Sequence, residues 1–297
     1  MTVNCNNPIE YQIIRVKYSM KILFTKMHGA GNDFIVINQL NKKYNLTKKE
    51  IKILSNRQLG IGFDQLLIVE KTTLPDAEFK YRIFNADGNE VEQCGNGARC
   101  FLLFLKNSGI SDKKTISVET KSGVISLSFE DNNKISVNMG FPNDNPKSIP
   151  FLQKYPPSQT TYINDVEHYF YPISLGNPHA VIKLDTLDNI DFSLIGEKLQ
   201  NSKFFPNSVN VGFLRIINKN EIALKVYERG SGLTLACGSG ACAASIISIK
   251  NRWVTSPVKV QMDGGELIVK WSPNHEAILI GPAKVVFEGE FDLLNFK

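Results

Sequence analysis

Two cysteines in this chain stand at matching points of two similar loops. The first loop runs Asn85-Ala86-Asp87-Gly88-Asn89-Glu90-Val91-Glu92-Gln93-Cys94-Gly95-Asn96-Gly97-Ala98. The second runs Glu228-Arg229-Gly230-Ser231-Gly232-Leu233-Thr234-Leu235-Ala236-Cys237-Gly238-Ser239-Gly240-Ala241, and both contain Cys-Gly-x-Gly-Ala. Each loop opens a run that is apolar on all sides and reads as a buried helix, so each cysteine falls just outside a helix N-terminus. The first N–H groups of a helix lack internal partners and carry the positive end of its dipole, so they attract a carboxylate, and glycines let it come close. The same field favours thiolate over thiol, and each cysteine is expected to titrate below about 8.5.

Two such sulfurs in one cleft suit proton removal at a carbon next to a carboxylate. One thiolate takes the α-proton, the opposite thiol returns a proton to the other face, and the centre inverts. Either sulfur can play either role, depending on the hand of the substrate. An α-carbon is a far weaker acid than a thiol, so positioned bases worth about 10²–10⁴-fold each do not suffice. The N–H groups of Gly95, Asn96, Gly238 and Ser239 must also stabilise the developing charge in a dry site, so the domains are expected to close over the substrate.

The elements that hold these loops form a repeat. Gly31-Asn32 lies 62 residues before Cys94 and Gly176-Asn177 lies 60 before Cys237, with Gly62-Phe63 and Gly212-Phe213 between them in the same order. Asn85 and Glu228 each stand nine residues ahead of their cysteine. The expected fold is α+β: two similar domains related by a pseudo-twofold axis, each a strongly curved, mainly antiparallel sheet wrapped around a central buried helix. The expected divisions are an extension at 1–19, ahead of Met20, an N-terminal domain at 20–145, a C-terminal domain at 146–285, and a segment at 286–297 returning to the N-terminal domain. A proline-rich stretch from Phe141 to Pro157 reads as the linker. Thr47-Lys48-Lys49-Glu50 is a capping box that should start a helix running to about Arg57, and Asp191 should open another.

Composition narrows the function further. The 34 basic and 29 acidic residues give a net charge of +5, scattered in pairs such as Lys42-Lys43 rather than gathered as a nucleic-acid footprint. Five cysteines do not make a disulfide framework, which suits a reducing, cytoplasmic setting, and their spacing does not suit zinc. No apolar run approaches the roughly 18 residues of a membrane span, and residues 1–19 lack the features of a signal or transit peptide. Cys100 and Cys242, out of register between the repeats, read as packing, and Cys5 as incidental. Cys-Gly-Asn-Gly lacks the lysine and hydroxyl of a phosphate loop. His28, His168 and His275 read as surface or satisfied residues, while His179 follows Asn177-Pro178 in a repeated turn.

From Met20 onward the sequence resembles the diaminopimelate epimerase family. The resemblance rests on Met27-His28-Gly29-Ala30-Gly31-Asn32-Asp33-Phe34, Gly60-Ile61-Gly62-Phe63-Asp64-Gln65, Phe84-Asn85-Ala86-Asp87-Gly88 with Cys94 to Arg99, Gly176-Asn177-Pro178-His179, Val209-Asn210-Val211-Gly212, and Tyr227-Glu228-Arg229-Gly230 with Ala236 to Ala241. It implies interconversion of LL- and meso-diaminopimelate on the route to lysine and bacterial cell wall, with no pyridoxal phosphate, metal or other cofactor, by a homodimer. It implies Cys94 and Cys237 as the base and acid pair, tuned by His179 and Glu228. Gly95, Asn96, Gly238 and Ser239 would hold the reacting carboxylate, and Asn32, Gln65, Asn85, Asn177, Asn210, Glu228 and Arg229 would read the rest of the substrate. Leu233 departs from the family's glutamate, which points to altered loop packing rather than lost chemistry. Two other functions fit the loops: racemisation of proline or hydroxyproline by the same chemistry, and a non-catalytic amino-acid-binding or thiol-redox sensor protein.

Overall fold

The apolar runs of the first half become strands covered on both faces. In the computed structural model, which describes residues 20–92, 94–145, 147, 149–151, 159–163 and 166–296, the first half contains strands β1 (Lys21–Gly29) and β2 (Asn32–Asn38), helix α1 (Lys48–Ser55), strands β3 (Gln65–Glu70), β4 (Phe79–Asn85) and β5 (Glu90–Val91), helix α2 (Gly95–Asn107), and strands β6 (Thr115–Thr120), β7 (Gly123–Phe129) and β8 (Ile135–Asn138). The second half contains β9 (Gln159–Ile163), β10 (Val166–Ser174), β11 (Pro178–Lys183), α3 (Phe192–Gln200), β12 (Asn210–Asn218), β13 (Glu221–Glu228), β14 (Gly232–Thr234), α4 (Gly238–Lys250), β15 (Val258–Met262), β16 (Gly265–Lys270), β17 (Ile278–Gly281) and β18 (Lys284–Asp292). The extension 1–19 with Cys5, Gln93 of the first loop and the stretch 152–158 of the expected linker lie outside the described residues.

The two halves repeat one pairing order. Strand β1 pairs antiparallel with β2, β2 parallel with β3, β3 antiparallel with β4, and β4 antiparallel with β5 but parallel with β6, which continues antiparallel through β7 to β8. Strands β10 to β17 repeat every step in the same sense. The strand that follows each set pairs with the first strand of the second or first half in turn: β9 with β10, and β18 with β1 from Lys21↔Asp292 to His28↔Lys284. Strands β8 and β17 pair with each other, joining both halves in one sheet of 18 strands among the described residues. Two similar halves related in this way are the two-domain α+β architecture expected from the repeat.

Alternation decides which core each residue joins. Phe34, Val36, Leu67 and Val69 face the large core around α2 and α4, while Ile35, Ile37, Leu66 and Ile68 face a smaller one beneath α1 with Ile51 and Leu54. In the second half Ala180, Ile182, Val211 and Phe213 build a third core with Leu199 of α3. Each half thus wraps a central helix on its inner face and carries a short amphipathic helix outside.

Local signals account for the helix ends. Thr47 and Glu50 form the reciprocal capping box at α1, but the helix stops at Ser55, two residues before Arg57, because Asn56 turns the chain toward Gly60. Asp191 caps α3 through its carboxylate and the N–H of Leu194 at 2.9 Å. Helix α4 is buried on nearly every side, as its sequence requires.

Candidate active site

Cys94 and Cys237 are the N-cap residues of α2 and α4, with extended backbones at φ −141°, ψ 118° and φ −126°, ψ 114°. Neither side chain caps its helix. A serine or aspartate there would hydrogen-bond back onto the helix.

The two helix starts meet. A Cβ added at Gly95 or Gly238 would lie 2.7 or 2.8 Å from the same methyl, Cδ2 of Leu279 on β17, and would have to push that side chain aside. From α2, the Asn96 amide donates to the backbone oxygen of Ala236, next to Cys237, at 3.3 Å and to Asn32 Oδ1 at 3.4 Å. Cys94 Sγ lies 3.6 Å from that same Asn32 oxygen.

Cys237 Sγ donates to Glu228 Oε2 at 3.0 Å, and Thr234 Oγ1 donates to the other carboxylate oxygen at 2.6 Å. Burial pushes the Glu228 carboxyl up, opposed by those two donors. Burial also pushes the Cys237 thiol well above its ordinary range, reinforced by the Glu228 charge. Cys94 is pushed up to about 11, mainly by burial and next by Glu228, against the pull of the Gly97 and Asn96 N–H groups. This corrects the expectation from the loops alone: the helix starts do draw the thiols down, but desolvation outweighs them. The Glu228 charge raises both sulfurs.

Of the remaining residues singled out in the sequence, some bond toward the cysteines and others bond elsewhere. Gln65 donates to Asn85 Oδ1 at 2.8 Å, and its own oxygen is buried without a hydrogen-bond partner. Asn210 donates to the Pro178 carbonyl and accepts from the Arg229 backbone at 2.9 Å, next to Glu228. Arg229 is exposed, its guanidinium reaching the Asn207 carbonyl at 3.3 Å. Asn177 donates to Ser239 Oγ at 3.2 Å, and Ser239 Oγ lies 3.6 Å from Cys237 Sγ. His179 is buried and hydrogen-bonds Asn177 at 3.1 Å, so it reaches Cys237 through two intervening side chains rather than directly. Burial and then Arg229 hold His179 down at about 3, so the ring is neutral.

Several residues that the sequence did not single out complete the setting. Asp64 accepts from Asn32 Nδ2 at 2.9 Å and is gripped by Arg57, which also binds Asp33 at 2.7 Å. Lys26 binds Asp33 at 2.6 Å. Burial raises Asp33, but the Arg57 and Lys26 bonds outweigh it and hold the carboxyl at about 2. Asp64 sits inside the Gly60 to Gln65 motif, and that adjacency was the available signal. Thr234 lies beside the Leu233 departure; Leu233 is half exposed, with its backbone paired to Tyr227. Tyr81 donates to the Cys94 carbonyl at 3.3 Å and gave no signal beyond strand alternation. Among the described residues no three His, Cys, Asp or Glu side chains gather as a metal site requires, and no helix is long and apolar enough to cross a membrane.

The profile of the Diaminopimelate epimerase family matches residues 24–144 and 171–286. A relative from Psychrobacter sp. named diaminopimelate epimerase is 47% identical over 278 residues, covering 92% of this chain and 95% of its own. One of the same name from Cupriavidus metallidurans is 45% identical over 283 residues, covering 92% and 98%. Among solved structures, a hydroxyproline epimerase from Agrobacterium vitis aligns with a TM-score of 0.66 at 12% identity over 92% of this chain and 93% of that one. A methylitaconate-delta-isomerase aligns with a TM-score of 0.63 at 13% identity over 94% and 97%. At such identities these two share the fold alone.

Proposed function

This chain belongs to the diaminopimelate epimerase family, and from that premise we propose that its two-cysteine cleft inverts one α-carbon of LL-diaminopimelate to give the meso isomer. The observation that carries this is the meeting of two cysteine-capped helix starts over one methyl of Leu279. A carboxylate at the Gly95, Asn96, Gly238 and Ser239 N–H groups lies between both sulfurs. For one hand of substrate, Glu228 accepts the Cys237 proton along the existing 3.0 Å hydrogen bond. The thiolate takes the α-proton, and the electron pair left on carbon spreads into the bound carboxylate. The Cys94 thiol, held protonated by burial, then gives its proton to the opposite face. For the other hand the sulfurs exchange roles.

The far end of the substrate is a second amino acid group, and the amides support its recognition. The unpartnered Gln65 oxygen suits an ammonium N–H, while Asn85, Asn177, Asn210 and Arg229 offer donors to a carboxylate. His179 acts as a neutral strut behind Asn177 rather than as an acid or base. We place this activity in the cytoplasm, on the route to lysine, without a cofactor. A homodimer is supported by the exposed Val285, Val286 and Phe287 on β18, which among the described residues pairs only with β1.

The test is a substrate panel with purified chain. Meso-diaminopimelate should form from the LL isomer, proline and hydroxyproline should not turn over, and Cys94→Ser or Cys237→Ser should each abolish inversion. Turnover of proline without diaminopimelate overturns the assignment.

A further inference from the structure

Arg99 is 0% exposed and is the largest fully buried side chain described. Its three side-chain hydrogen bonds go to neutral acceptors: Nε to the Pro282 carbonyl at 3.1 Å, Nη1 to the Gly95 carbonyl at 3.2 Å and Nη2 to Asn96 Oδ1 at 2.8 Å. Among the described residues no carboxylate lies within 4.0 Å of it. A buried charge is costly unless paired, so an unpaired guanidinium at the start of α2 calls for a negative partner supplied during function.

The surroundings make room for this one group. A Cβ at Gly29 of β1 would come within 3.2 Å of Arg99 Nη2, and one at Gly281 of β17 within 3.1 Å of Cζ. The repeat is asymmetric here: five residues past Cys94 stands Arg99, whereas five past Cys237 stands Cys242. One half supplies the cation and the other yields space to it. By accepting from Arg99, the Asn96 oxygen is turned so that its NH2 faces Asn32, beside Cys94, and Ala236, beside Cys237.

We propose that Arg99 is a positioning residue that serves both cysteine loops, its unpaired charge favouring a thiolate at Cys94 and its fork fixing the Asn96 amide that joins the loops. The inference rests on the two-cysteine reaction above. Among the described residues, the titratable groups whose charge acts on or responds to the Cys94 sulfur are Tyr81, Arg99, Cys100 and Glu228, and Arg99 is the one cation in that set; burial draws the guanidinium's own pKa down while the thiols raise it.

Arg99→Met and Arg99→Lys separate charge from fork in the full chain. The readouts are the pH profile of iodoacetamide alkylation at Cys94, read by mass spectrometry without substrate, and kcat and KM for α-proton exchange. In Arg99→Met the alkylation midpoint should rise by roughly one pH unit, and kcat should fall about 100-fold with little change in KM. Arg99→Lys should keep the midpoint and still lose at least about 10-fold in kcat, because an ammonium does not hold the amide in register. A folded Arg99→Met with the parent's midpoint and kcat overturns the proposal; if that variant does not fold, parent-like kcat in Arg99→Lys overturns it. Should the parent turn over no diaminopimelate, the function assigned above fails, while the alkylation midpoint still decides the role of Arg99.

Discussion

Cys237 gives its proton to a hydrogen bond with Glu228, 3.0 Å from Sγ to Oε2, whereas Cys94 has no carboxylate bonded to its sulfur among the described residues. The repeat places Asn85 where the second half has Glu228, so two similar halves hold their sulfurs with different neighbours.

Glu228→Gln should lower α-proton exchange by roughly 10²–10⁴-fold, the range for a lost general base. Thr234→Val removes a donor that holds the carboxylate ionised, so the acid limb of the kcat profile should move to higher pH. A Glu228→Gln enzyme with parental kcat removes Glu228 from the proton path.

Cys94 should contribute to alkaline destabilisation. Its thiol titrates at about 11 when folded against 9.0 ordinarily, so below pH 9 it is protonated in both states and its contribution is intact. Between pH 9 and about 11 the unfolded chain releases a proton that the folded chain retains, and stability falls as pH rises, by at most about 3 kcal/mol. Urea denaturation of the parent and Cys94→Ala across that window should diverge, the variant declining less.

His179 should act in the opposite direction. With its pKa drawn from 6.5 down to about 3, the unfolded state binds a proton that the folded state refuses, so stability falls as pH drops through that range. His179→Gln should flatten the thermal-stability profile between about pH 6.5 and 4, above the range where Asp33 titrates. An unchanged slope would place the acid sensitivity elsewhere.

Gly95→Ala should disturb both loops at once. The added methyl would lie 2.7 Å from Leu279 Cδ2 and 3.0 Å from Met139 Sδ. The expected costs are about 1–3 kcal/mol in stability and on the order of 100-fold in kcat. Combining it with Leu279→Val should recover part of both, as seen by calorimetry and exchange rate.

Much of the architecture was legible because local chemistry and global fold agree. The Thr47 box, the Asp191 cap and the two Cys-Gly-x-Gly starts each state a helix beginning, and the spacing between them exposes the duplication. A return of segment 286–297 to the N-terminal domain was expected, but its partner strand and register, and the pairing of β8 with β17, lie between residues far apart in the chain, and no periodicity encodes them. Which of the named side chains come together was easier to read than their energetics. Helix-start fields are visible in Gly95 and Gly238, but the desolvation that raises both thiols depends on what closes over them. Arg99 stood in the quoted motif, and only the absence of a nearby carboxylate among the described residues marks its charge as unpaired.

The most direct measurement follows LL-diaminopimelate with the reduced chain in D2O by NMR and mass spectrometry. If opposed sulfurs trade the proton, deuterium enters the inverted α-carbon as meso product forms, and neither Cys94→Ser nor Cys237→Ser yields inverted product. Exchange with retention at the α-carbon in the parent, or inversion that survives loss of either sulfur, contradicts it.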